Sequence, residues 1–315
     1  MIASPGRNPY RPGVGKRPLV LAGRDGEIQR FLATLRGSPE IPANIRLTGL
    51  RGVGKTVLLS EFDDQAKRAG WATVLLELEP RHNTEQAILA SIGASIERAV
   101  AALTAVGRIR RGLGRAAALA AGLGFTYNDV RMSFDPTTVV RGQEDLGREL
   151  YDACQASGTA GRAGFAVLLD EAQVLTDEQE RDGEHPLSML LAAVAALQKL
   201  GAPVALVLCG LPTLTGNLLR ARTYVERMFR GMEIGSLTAE AARSAFVDPL
   251  AGTGTAADAD LVARVLQSVE GYPYFIQLWG AELWDATVTA GTPRFSVELL
   301  EAIEPEIYVR LDLDF

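Results

Sequence analysis

Two cysteines, Cys154 and Cys209, are too few in 315 residues for a disulfide framework, so a reducing compartment is the expected setting. Histidine is equally scarce. His82 and His185 stand in polar segments without Cys or His companions at ligand spacing, so no metal centre is expected on them. Positive charge is not in excess. Lys and Arg number 32 against 38 Asp and Glu, giving a net charge of −6 and a pI near 5.2. That balance argues against a protein that coats nucleic acid over its whole surface. Long apolar runs are missing as well. The stretches 116–125 and 187–197 are too short to cross a bilayer, and residues 4–18 hold Pro, Gly and Arg where a signal peptide needs an apolar core. The expected protein is therefore cytoplasmic and has no membrane partner. Its 47% hydrophobic content is nevertheless ample for a core.

Two short segments carry chemistry. Gly49-Leu50-Arg51-Gly52-Val53-Gly54-Lys55-Thr56, followed by Val57, is a complete G-x-x-x-x-G-K-T phosphate loop. Glycines let backbone N–H groups converge on phosphate oxygens, and the helix starting near Lys55 adds the positive end of its dipole. Lys55 is expected on the β- and γ-phosphates and the Thr56 hydroxyl on Mg²⁺. The second segment is the apolar run Phe165–Leu169 ending in Asp170 and Glu171. Asp170 is expected to hold Mg²⁺ with Thr56, and Glu171 to polarise the attacking water. The chain thus reads as a nucleoside-triphosphate hydrolase.

The hydrophobic pattern alternates strands with helices up to a short fifth strand at Met232–Ile234, as a parallel sheet requires. From Thr238 onward the strand signal disappears and four helices are expected, with Thr238 capping the first. The expected organisation is a flexible arm over 1–18, an α/β core over 19–236, a small all-helical lid over 237–304, and at 305–315 the start of a further C-terminal module. Arg108, Arg110, Arg111 and Arg115 cluster between glycines. They are either a solvated loop or a DNA-phosphate contact.

Several further segments appear in order: Gly23-Arg24-Asp25-Gly26-Glu27-Ile28, Cys209-Gly210-Leu211-Pro212-Thr213-Leu214, Tyr224–Phe229 and Gly271-Tyr272-Pro273-Tyr274-Phe275-Ile276-Gln277. With the phosphate loop and the Asp-Glu strand, this ordered set resembles the prokaryotic AAA+/STAND ATPases with an origin-recognition-like ATPase domain, over roughly residues 8–315. The resemblance implies a five-stranded P-loop NTPase sheet of AAA+ type and ATP as the nucleotide. It places Gly23-Arg24 over the adenine and ribose, and Tyr272-Pro273 near the base from the lid. It makes Arg227, with Arg230 next and Arg222 third, the arginine finger. No arginine stands at the lid position where many AAA+ proteins have one. Cys209 is a poor donor for the polar sensor expected at the end of the fourth strand, with Thr213 as a substitute. The resemblance also implies nucleotide-dependent self-association. It implies a winged-helix output module too, expected either as a continuation that this sequence does not include or from a partner protein. The alternatives are a DNA-directed ATPase and an ATP-gated scaffold with little turnover.

Overall fold

The computed structural model describes residues 7–113, 143–180, 183–222 and 225–314; residues 104–113, 226 and 312–314 are described by their backbone alone. Five strands, β1 (Ala43–Gly49), β2 (Ala72–Glu77), β3 (Phe165–Asp170), β4 (Val204–Gly210) and β5 (Arg230–Ile234), form one sheet in the order β2-β3-β4-β1-β5. The β2–β3, β3–β4 and β4–β1 ladders are parallel. Every residue of β3 and β4 is buried, which explains their unbroken apolar sequences: a parallel strand covered on both faces has no solvent side to alternate with. Helix α1 (Asp25–Arg36) precedes β1, and helices α2 (Lys55–Arg68), α3 (Glu85–Leu113), α4 (Gln143–Thr159), α5 (Pro186–Lys199), α6 (Thr213–Ala221) and α7 (Val225–Met228) lie between the strands in sequence.

The chain divides into two compact units. The first comprises 28–48 and 59–232 and contains most of the sheet. Its core packs Ile88, Ile92 and Ile96 of α3 with Leu146 and Leu150 of α4 and the apolar face of α5. The segment Glu85–Leu103 is long and apolar enough by composition to cross a bilayer. Here its Ile88, Ile92 and Ile96 stripe is buried within this unit. α3 continues to Leu113. Arg108, Arg110 and Arg111 fall on its backbone-only part, and Arg115 lies outside the described residues.

The second unit comprises 1–27, 49–58 and 233–315. Its C-terminal part contains α8 (Ala239–Val247), α9 (Ala259–Val269), α10 (Pro273–Ala290) and α11 (Val297–Asp314). Thr238 caps α8 as expected, its side chain accepting the Ala241 N–H at 3.3 Å. One addition to the all-helical reading is a two-residue parallel ladder between β6 (Ala256–Ala257) and β7 (Arg294–Phe295). Such a ladder is too short for any periodicity. It forms around Phe295, which is fully buried among the helices. α11 runs without interruption across residue 305.

The Pro/Gly-rich arm is anchored where it is described. Tyr10 is 3% exposed, packs against Phe246 and Phe295, and donates its hydroxyl to the Phe246 carbonyl at 2.5 Å. Gly280 makes room, since a β-carbon there would fall 2.3 Å from the Tyr10 ring. Asn8 and the Arg11 amide bond to α10 at Ala281 and Gln277. One tyrosine in a sequence without periodicity gives no warning of this docking.

Tyr10→Ala should therefore cost about 3–4 kcal/mol, and Tyr10→Phe about 1 kcal/mol for the carbonyl left unpaired, both read by urea unfolding. In the first unit, burial and then repulsion from Glu97, Asp145 and Asp152 raise the Glu149 pKa above the usual carboxylate value. The folded state thus holds this proton more tightly than the unfolded chain, and the associated stability is lost as pH rises through the raised value. Glu149→Gln should raise the melting temperature at about pH 7, with the gain vanishing near about pH 4.

Candidate functional site

The phosphate loop connects β1, which ends at Gly49, to α2, which starts at Lys55. Gly52 and Gly54 have φ of 78° and 86°, values that side-chain-bearing residues rarely adopt. Gly49 is required for a different reason: a β-carbon there would stand 2.3 Å from the Ile234 carbonyl oxygen. Lys55 is 7% exposed and donates one of its three N–H groups to the Leu50 carbonyl at 2.7 Å. Val53 is buried, Thr56 and Val57 are half-buried, and Arg51 is exposed.

Arg24 bears directly on this loop. Its guanidinium is 6% exposed, and Nη2 donates to the Val53 carbonyl at 3.0 Å and to the Gly235 carbonyl at 2.7 Å. Burial lowers its pKa, partly offset by Glu27, whose Oε1 lies 3.9 Å from Nη1. Gly23, at φ 67°, lets the backbone pass against α8, where a β-carbon would fall 2.5 Å from Ala241 Cβ. The Gly23-Arg24 box, expected over the adenine and ribose, thus directs its arginine to the loop backbone and to the segment after β5.

The start of α10 meets the loop from the C-terminal side of the same unit. Tyr272 precedes Pro273, the first residue of α10, and the Tyr274 N–H donates to the Gly52 carbonyl at 3.3 Å. A β-carbon on Gly54 would sit 4.0 Å from the Pro273 ring. The Tyr272 ring stacks on Phe275 with centroids 5.3 Å apart. Gly271, at φ 71°, accepts the Leu237 N–H through its carbonyl at 2.8 Å.

In the sheet unit, Asp170 is the last residue of β3 and is 3% exposed. Leu169 and Arg46 both stand opposite Leu208, so β3 and β1 reach the same sheet edge, with β4 between them. Two strand spacings put these ends about 10 Å apart. Glu171 follows in the left-handed region at φ 52°, and its N–H donates to Asp170 Oδ1 at 2.9 Å. Cys209 is fully buried, and Thr213, at the start of α6, is exposed. A polar side chain that reaches the end of β4 is Gln173, whose Oε1 accepts the Leu211 N–H, and neither periodicity nor motif singled it out. Its only sequence signal is its place three residues after Asp170. Arg227 on α7 and Arg230 at the start of β5 are both exposed, and Arg222 is half-buried.

A family model described as the AAA ATPase domain matches residues 20–208. No curated protein matches the chain in sequence. Among solved structures, the chain is similar to Cdc6p from Pyrobaculum aerophilum, with a TM-score of 0.59 and 16% identity over 94% of this chain and 70% of that one. It is similar to the Aeropyrum pernix ORC2 protein in its ADPNP-ADP complexes, with a TM-score of 0.58 and 12% identity over 94% and 70%. It is also similar to Drosophila ORC bound to DNA, with a TM-score of 0.53 and 15% identity over 92% and 62%. At these identities the likeness is one of fold, and the chain spans 62% to 70% of the length of those chains. The family match runs through both the phosphate loop and the Asp170-Glu171 strand end and takes in more than half of the residues, so this chain belongs to the AAA ATPase domain family and is a P-loop ATPase.

Proposed function

We propose that the chain is an ATP-driven molecular switch of the STAND type, in which nucleotide bound at the phosphate loop sets the position of the C-terminal helices and hydrolysis resets it. The observation that carries this reading is the pair of backbone attachments on the loop. The Gly52 carbonyl is bonded to the start of α10, and the Val53 carbonyl is bonded through Arg24 to Gly235. A loop that adjusts to a phosphate pulls on both, and biasing a two-state element in this way is a known device of nucleotide switches.

The residues fit the nucleotide and its metal. The positive-φ glycines at 52 and 54 suit a backbone nest for an anion, and Lys55 is the point charge for the β- and γ-phosphates. Thr56 and Asp170 offer the hard oxygen donors that Mg²⁺ takes from this class of site, where phosphate and water complete the shell. Among the described residues no group of three or more His, Cys, Asp or Glu side chains gathers into a separate metal cage. When bound, Mg²⁺ neutralises charge developing on the γ-phosphate. Glu171 takes the proton from water as the water oxygen bonds to the γ-phosphorus and the bond to the β–γ bridging oxygen breaks, releasing ADP and phosphate. Arg227 or Arg230, exposed on its own subunit, supplies the finger to a neighbouring subunit.

A DNA-directed ATPase is the second reading. It is favoured by the fold shared with Drosophila ORC, which is bound to DNA, and by the arginines at 108, 110, 111 and 115. Binding of duplex DNA that falls steeply with salt would select it.

Lys55→Ala should abolish ATP binding, measured by calorimetry. Glu171→Gln should keep binding and lose about 10²–10⁴-fold in turnover. Specific turnover should rise with protein concentration and fall about 10³-fold in Arg227→Ala or Arg230→Ala. Turnover independent of concentration and of both arginines would contradict self-association at the catalytic step.

A further inference from the structure

We infer that Gln173 is a positioning residue for Glu171, linking its carboxylate to the end of β4; this rests on the reading of Glu171 as the group that activates water. The left-handed backbone at Glu171 turns the chain sharply after β3 and brings residue 173 back beside it. Gln173 Nε2 donates to Glu171 Oε2 at 2.5 Å. The other end of the same amide, Oε1, accepts the Leu211 N–H at 3.0 Å. One planar amide thus spans from the carboxylate to the first residue after β4. Glutamine suits this place because it carries a donor and an acceptor on one terminal group. With Oε2 held, Oε1 of Glu171 is the oxygen that accepts a proton.

The contact has a dedicated space. A β-carbon on Gly210 would fall 2.3 Å from Gln173 Oε1 and 3.1 Å from its backbone nitrogen, so the last residue of β4 must be glycine for the amide to seat. The turn itself is pinned to α6. Asn217 Nδ2 donates to the carbonyls of Gln173 at 2.9 Å and Leu175 at 3.2 Å, while its Oδ1 accepts from Arg220 at 2.7 Å. A shift of the β4 end or of α6 is therefore passed to the Glu171 carboxylate through one side chain. This is a sensing task for which the Cys209 thiol is a poor donor, and which an exposed Thr213 does not perform from within the turn.

The test separates the two ends of the amide. Gln173→Glu keeps an acceptor for Leu211 but removes the donor to Glu171 and sets a like charge beside it. Turnover at saturating Mg²⁺-ATP should fall about 10- to 100-fold, with KM within about twofold of the parent and an unchanged melting temperature. Gly210→Ala, which displaces the amide without altering any charge, should give the same kcat loss at similar KM. In a Glu171→Gln background, Gln173→Glu should add nothing in single-turnover measurements, because its effect passes through Glu171. If Gln173→Glu and Gly210→Ala both turn over within about twofold of the parent while Glu171→Gln is inactive, the positioning role is wrong and the reading of Glu171 stands. If Glu171→Gln itself keeps full turnover, both fall.

Discussion

A loop that turns its N–H groups inward to meet phosphate must turn carbonyls outward, and each outward carbonyl needs a donor. That constraint organises the unit around the phosphate loop. The Leu50 carbonyl takes the Lys55 ammonium, the Gly52 carbonyl takes the Tyr274 N–H, and the Val53 carbonyl takes Arg24. One donor is the loop's own lysine. The other two come from segments more than two hundred residues apart in sequence, the box before α1 and the start of α10. Both donors belong with the loop to one compact unit, residues 1–27, 49–58 and 233–315.

The sheet unit solves a complementary problem. Its central strands are buried throughout, so charge is tolerated only where a strand ends. Asp170 stands at such an end and accepts the N–H of Glu171, and the left-handed turn that follows folds Gln173 back onto Glu171. The acidic pair is therefore held by the turn that terminates β3 and by the glycine that terminates β4.

Much of this was legible in the sequence because it is either a motif or a period. The phosphate loop, the apolar run into Asp170-Glu171 and the alternation of strands and helices all appear where the residues place them. What escaped has no period. Gln173 is one polar residue in a turn, and its partner Leu211 lies across the sheet edge. The bonds of Arg24 to the Val53 and Gly235 carbonyls were not legible, because a motif names a residue and not the direction of its side chain. Tyr10 sits in a segment whose prolines and glycines suggest a free arm, and only the bare backbone of Gly280 reveals its seat. The β6–β7 ladder is only two residues long, with Phe295 buried beside it. The bonds from the loop carbonyls to Arg24 and Tyr274 are ones that composition cannot report.

The central claim is that the phosphate loop and the C-terminal helices respond to nucleotide together. Hydrogen exchange of backbone amides with and without Mg²⁺-ATP reads this directly, with Tyr274 and the Leu237–Gly271 contact as reporters. The account predicts that protection changes at residues 49–58 are accompanied by changes at Leu237 and across the first turn of α10. Changes confined to 49–58, with the amides of Tyr274 and Leu237 indifferent to nucleotide, would contradict it.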